Sequence, residues 1–120
     1  MPLRDAPVAE LKAELFKALA HPIRVRVLEE LVPGERPVGE LAELLDVELS
    51  HLSQQLAVLR RAGVVTTRRE RSTVYYSLRD PRTSQLLAVA RQLLVTGLRE
   101  GQELLSGLED ERRSRATARR

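Results

Sequence analysis

A chain of 120 residues with a net charge of +3 is long enough for one small core but short of the frame most enzymes build around a pocket. It contains no cysteine, which excludes disulfides, thiolate metal sites and thiol redox switches. No apolar run approaches the roughly 18–20 residues that span a bilayer, and "MPLRDAPVAE" lacks a charged region followed by an apolar one, so a cytoplasmic protein with no membrane partner is expected.

Residues 1–7 carry no periodicity and are expected to be flexible. Val8, Leu11, Leu15 and Leu19 then recur at helical spacing, which predicts an amphipathic helix over 8–20. In "AHPIRVRVLEELV", Pro22 suits a first helical position, and Ile23, Val27, Leu28 and Leu31 share one face. "PGERP" at 33–37 reads as a loop. A two-turn helix over 38–45, with Val38, Leu41, Leu44 and Leu45 inward, is broken by "DVEL". A second helix restarts at about 49 and runs to 62 on Leu52, Leu56 and Leu59, with Gly63 ending it.

After Gly63 the period falls to 2. "VVTTRR" and "TVYYSL", joined by "ERS", predict a hairpin with Val74, Tyr76 and Leu78 on one face and Thr73, Tyr75 and Ser77 on the other. Arg68, Arg69 and Arg71 fall at its tip, where three cations on an exposed ribbon repel each other unless something anionic lies opposite. From Ser84, the residues Leu87, Ala90, Leu94, Gly97, Gly101, Leu104 and Leu108 alternate spacings of three and four. That heptad-type seam calls for a partner, and it predicts a helix over 82–108. "EDERRSRATARR" lacks apolar periodicity, so 109–120 is expected to be a disordered basic tail.

Charge is distributed unevenly. Residues 1–59 have a net charge of −4, residues 60–82 of +5, residues 83–111 of −3 and residues 112–120 of +5. An acidic body with one basic patch steers toward a polyanion, and cations that are almost all arginine suit bidentate phosphate or guanine contacts.

A short helix, a tight turn and a second helix form the helix-turn-helix arrangement, in which the second helix enters the major groove of double-stranded DNA. Ser50, His51, Ser53, Gln54 and Gln55 lie off the leucine stripe and are followed by Arg60 and Arg61. Gln can pair bidentately with adenine, and Ser reads either base or phosphate. Arg68, Arg69, Arg71, Ser72, Thr73 and Tyr75 are the candidate contacts of the wing. A structural hydrogen bond is expected of His21 and a phosphate or base contact of His51. Their spacing does not suggest a zinc site, so neither a metal nor a cofactor is expected.

"LFKALAHPIRVRVLEELV", "VGELAELLDVELSHLSQQLAVLRRAGVV" and "VYYSL" resemble the ArsR/SmtB family of bacterial winged-helix repressors over about residues 11–96. The A-x-P-x-R opening, the S-x-x-S-x-x-L helix, the L-x-x-A-G-[LV]-V exit and the V-Y-Y wing occur in the family's order and spacing. The resemblance implies a mainly α, winged helix-turn-helix fold of order α-α-α-α-β-β-α. It implies a homodimer through the N- and C-terminal helices that binds an inverted-repeat operator and releases it on sensing a signal. It places Ser50, Ser53, Gln54 and Gln55 at base- or backbone-contacting positions, and Arg69 and Arg71 on the wing that reaches the minor groove.

Leu11, Leu15, Leu87, Ala90, Leu94, Gly97, Gly101 and Leu104 are the expected dimer contacts. The chain departs from the family where many members carry a cysteine pair on the helix that here reads "VGELAELL". It departs again where others carry ligands on the last helix, at positions that are here Asp80, Arg82, Leu93 and Thr96, of which only the first could be a ligand. The wing tip also lacks a glycine, and Glu48 stands where a Ser or Thr usually caps the recognition helix. A small-molecule effector is compatible with this reading. The alternative is a winged helix that docks a protein partner, against which the +5 patch argues. An enzyme is the third reading, and no Ser-His-Asp set or phosphate-cradling loop favours it.

Overall fold

A computed structural model describes residues 5–118 of the chain. The elements are α1 (Asp5–Leu19), α2 (Pro22–Leu31), β1 (Arg36–Pro37), α3 (Val38–Leu45), α4 (Leu49–Arg61), β2 (Val65–Glu70), β3 (Thr73–Leu78) and α5 (Thr83–Ala118). The chain divides into two compact units between Gln85 and Leu86.

In the first unit the core is a leucine and valine cluster drawn from four elements: Val27, Leu28 and Leu31 of α2, Leu41 and Leu45 of α3, Leu52, Leu56 and Leu59 of α4, and Val65 of β2. Burying side chains of this size stabilises by about 1.5–3 kcal/mol each relative to exposure. α1 contributes only Ala18 to this core, and its Val8, Leu11, Leu15 and Phe16 stay exposed. No polar or charged residue is buried among the described residues.

The break between α3 and α4 has a backbone cause. Asp46 adopts the left-handed conformation at φ 53°, and the Val47 N–H donates back to the Ala42 carbonyl at 3.2 Å, closing α3 within three residues of the start of α4. Asp is one of the few non-glycine residues that tolerate this geometry. Glu48, the residue before α4, makes no side-chain cap, and the helix ends in a Schellman pair, with Gly63 N–H donating to Arg60 O and Val64 N–H to Leu59 O, both at 3.0 Å. Gly63 sits at φ 74°, and Val64 and Leu59, the positions whose apolar side chains accompany such a motif, are both buried.

The hairpin is part of a three-stranded antiparallel sheet of order β1-β3-β2. β1, which sequence reading assigns to a loop, pairs Arg36 with Tyr76 and Pro37 with Tyr75. Two residues have no readable period, and Pro37, which cannot donate to a ladder, is tolerated because β1 is an edge. Arg36 pins it in place, its Nε donating to the Glu30 carbonyl at 2.6 Å and its guanidinium paired with Glu30 and Glu40. As the central strand, β3 is half-buried along its whole length, so its two faces differ less than the alternation of apolar and polar residues suggests.

Two terminal expectations need correction. α1 starts at Asp5 rather than Val8, and Pro7 fits in its first turn because those N–H groups have no intrahelical acceptor. Residues 1–4 lie outside the described residues. α5 continues to Ala118, so 109–118 is helical, not disordered, and only 119–120 fall outside the described residues. The cause is local: acidic residues precede basic ones at helical spacing, giving the Asp110–Arg113 and Glu111–Arg115 pairs, and the Thr117 hydroxyl donates to the Arg113 carbonyl. α5 buries none of its residues.

Asp80 organises the entry to α5. Its carboxylate accepts from the Arg82 backbone N–H at 2.9 Å and from the Arg82 guanidinium at 2.7 Å, and these bonds hold its pKa down at about 2. A depressed carboxylate stabilises the fold above its unfolded pKa, and that stability is lost as pH falls through the folded value. Thermal melting of wild type is therefore expected to fall more steeply than that of Asp80→Asn between about pH 4 and pH 2. Leu56→Ala, at a fully buried position on α4, is expected to cost about 3 kcal/mol in urea unfolding with an unchanged m-value.

Candidate nucleic-acid interface

On α4 the leucine stripe faces the core, while Ser50, His51, Ser53 and Gln54 are exposed, as are Arg60 and Arg61 in the last turn. Gln55 differs from that set. It is half-buried, and its Oε1 accepts from Arg24 Nη1 of α2 at 3.2 Å, so it is tied to the domain rather than free in the solvent-facing row.

His21 caps α2, its Nδ1 accepting from the Ile23 N–H at 3.1 Å, so the hydrogen bond expected of it is present. Its ring meets that of His51 edge-to-face with 6.3 Å between centroids, although thirty positions separate the two in sequence. Among the described residues no three His, Asp or Glu side chains converge as a metal would require.

The wing is built on the β2–β3 register, in which Arg68 faces Tyr75, Arg69 faces Val74 and Glu70 faces Thr73, so the turn is Arg71–Ser72 rather than the three residues "ERS". Arg71 sits at φ 58°, a left-handed position that a glycine would take without strain. Arg69, Arg71 and Ser72 are exposed, whereas Thr73 and Tyr75 are half-buried.

Arg68 corrects the picture of three repelling cations. Its Nε donates to Glu35 Oε2 at 3.2 Å, its Nη2 to Glu35 Oε1, and its Nη1 to Glu70 Oε2 at 2.9 Å. The guanidinium also lies 4.5 Å from the centre of the Tyr75 ring. The Arg68 hydrogen bond holds the Glu35 carboxyl below the usual carboxylate range. Arg68 thus serves to tie the wing to the loop before β1, and Tyr75 serves as its platform. Among the described residues no ion pair engages Arg60, Arg61, Arg69 or Arg71.

Three residues in this region are missed by sequence reasoning. Glu35 and Arg24 act across the fold, over 33 and 31 positions, and no local period encodes that. Leu49 continues the spacing of Leu52, Leu56 and Leu59 yet is 54% exposed, whereas Leu52 in the same turn is fully buried.

A short helix braced against a second helix with an exposed polar row, beside a basic hairpin, is the architecture of a winged helix-turn-helix regulator. A helix-turn-helix domain family matches residues 19–68. The HTH-type transcriptional regulator Rv0081 of Mycobacterium tuberculosis is 49% identical over 107 residues, covering 88% of this chain and 94% of the relative. Its crystal structure superposes with a TM-score of 0.72 at 53% identity over 78% of this chain and 95% of that one.

A homodimeric winged helix-turn-helix DNA-binding domain from Mycobacterium bovis, described as a possible ArsR-family regulator, gives a TM-score of 0.71 at 30% identity over 78% and 87%. The biofilm growth-associated repressor of Agrobacterium fabrum is 47% identical over 75 residues, 62% of this chain and 64% of the repressor. This chain belongs to the ArsR/SmtB family of winged helix-turn-helix transcriptional regulators, a family of regulators and not of enzymes. None of these relatives is named as a protein-docking module.

The strained turn generates a two-sided expectation. Arg71→Gly is expected to stabilise the protein by about 0.5–1 kcal/mol in denaturant unfolding while weakening DNA binding at low salt, because it relieves the left-handed arginine and removes a wing cation.

Proposed function

We propose that the chain is a homodimeric repressor that binds an inverted-repeat operator in double-stranded DNA, α4 reading the major groove and the β2–β3 wing following the backbone into the adjacent minor groove. The observation that carries this reading is the exposed row of Ser50, His51, Ser53 and Gln54 on a helix whose other side is fixed in the core. In it, Arg60, Arg61, Arg69 and Arg71 are the phosphate contacts, with Ser72 and Thr73 beside them. Arg68 acts by holding the wing in place.

Dimerisation is assigned to the exposed apolar residues of α1 and α5. Leu11 and Leu15 on the first helix, with Leu87, Ala90, Leu94, Gly97, Gly101 and Leu104 on the last, form series that a second copy would cover. Leu94 is 70% and Leu104 66% exposed in the single chain. A homodimeric relative and a relative named as a repressor support the assignment. Two-fold symmetry would then set the recognition helices about 34 Å apart, one turn of DNA. Among the described residues no helix is long and apolar enough to cross a membrane, and a cytoplasmic location fits a regulator of transcription. With no cysteine, its signal is something other than a thiol-bound metal.

Selection of fragmented genomic DNA on the purified protein at physiological salt is the test of this reading, and an enriched inverted repeat with half-sites about one turn apart is the expected result. On that operator, Gln54→Ala is expected to lower sequence preference by about 1–3 kcal/mol at one base pair. Arg69→Ala is expected to weaken binding to all DNA and reduce the salt slope by about one unit. If neither variant changes operator affinity, the assignment of helix and wing is overturned.

A further inference from the structure

We propose that Arg24, on α2 and outside the polar row of α4, decides which base edge Gln55 can read; the inference rests on the operator-binding reading above and specifies its chemistry. Arg24 is the arginine of the A-x-P-x-R stretch "AHPIR", and it belongs to neither the recognition helix nor the wing. Its guanidinium is held at two points: Nη1 donates to Gln55 Oε1 at 3.2 Å, and Nη2 donates to the carbonyl of Lys17, in the last turn of α1, at 3.4 Å. Its Nε is buried with no hydrogen-bond partner.

A guanidinium has five N–H donors and no acceptor, so the atom of the Gln55 amide that faces Arg24 has to be the oxygen. The amide nitrogen is left as the group Gln55 can offer to a ligand. A free glutamine presents oxygen and nitrogen together, which matches the N6–H donor and N7 acceptor of adenine. A glutamine whose oxygen is turned toward Arg24 turns its N–H donors outward, and these match an edge made of acceptors, the N7 and O6 of guanine first and the O4 of thymine next.

Turning the oxygen outward toward adenine would break the Arg24 bond. It would leave a second guanidinium donor without its partner, beside an Nε that already lacks one. Gln54 carries the same amide on the same helix but is exposed, and no such bond restrains it among the described residues. Two adjacent glutamines therefore have different reading rules, and the difference comes from a residue that need not touch DNA. Arg24 is a positioning residue in this scheme, acting through Gln55.

The experiment is a selection on randomised operator half-sites, run in parallel at one salt concentration with wild type, Arg24→Met, Gln55→Ala and the double variant. Wild type is expected to prefer guanine or thymine over adenine at one base pair. Gln55→Ala is expected to flatten that position, and Arg24→Met to shift it toward adenine by about fivefold or more. The double variant is expected to match Gln55→Ala, because without Gln55 the arginine has nothing to orient.

An Arg24→Met profile identical to wild type, a shift of equal size in the Gln55→Ala background, or a wild-type preference for adenine at that position would overturn the proposal. Should Arg24→Met fail to fold, nitrogen-15 relaxation of the side-chain amides in wild type decides the matter. The Gln55 amide is expected to be nearly as rigid as the backbone and the Gln54 amide mobile, and equal mobility of the two overturns the proposal. A wild-type protein that enriches no repeat overturns the operator reading and the base assignment with it. A repeat whose Gln55-dependent position ignores Arg24 overturns this inference alone.

Discussion

The fixed side of α4 is the constraint on which the rest depends. Leu52, Leu56 and Leu59 are wholly buried against leucines and valines of α2 and α3, so the helix has one rotational setting about its own axis. Everything exposed on it is exposed as a consequence. Rotation by one residue would drive Ser53 or Gln55 into an apolar cluster that holds no polar partner, at a cost comparable to leaving a buried hydrogen-bonding group unmade. The left-handed Asp46 and the Gly63 terminus fix the two ends of the same helix, so its position along the axis is set by backbone and its rotation by side chains.

The wing follows a different logic, because it has little core to rest on. Its hairpin is held through β3, the shared central strand, and through the guanidinium of Arg68, which spans Glu35, Glu70 and the Tyr75 ring. All three ion-pairing side chains are exposed, and single exposed ion pairs contribute little to stability. Here several contacts converge on one cation and restrict where a flexible ribbon can point, a matter of geometry more than of total free energy. The basic character read from the sequence thereby divides in two. One arginine is consumed in positioning, while among the described residues no ion pair engages Arg69 or Arg71 at the turn, the latter in a conformation that costs backbone strain.

Most of the fold was legible because its signals are local. The leucine periods place α2, α3 and α4 within a residue or two, Gly63 ends α4 as read, and the change of period at Val64 marks the hairpin. The misses have one physical origin, which is that the deciding interaction runs across the chain or along it without an apolar pattern. β1 exists because Arg36 and Pro37 meet Tyr76 and Tyr75, about forty residues away. Glu35 and Arg24 act on residues more than thirty positions distant. The helical segment past Glu109 is sustained by charge spacing, which a search for apolar residues does not register. In the candidate site, Ser50, His51, Ser53 and Gln54 are exposed as the stripe implies. Gln55 and Arg68 carry partners that only the assembled fold reveals.

α5 runs for 36 residues, about 54 Å at the rise of an α-helix, without burying any of them. Most helical stability in proteins comes from packing an apolar face, so leucines such as Leu93, Leu94 and Leu98, each 70% exposed, represent stability that a single chain leaves unused. Any surface that covers them contributes according to mass action. The order of this helix thus rises with the concentration of whatever binds it, and under the proposed dimer the amount of protein itself enters the folding equilibrium.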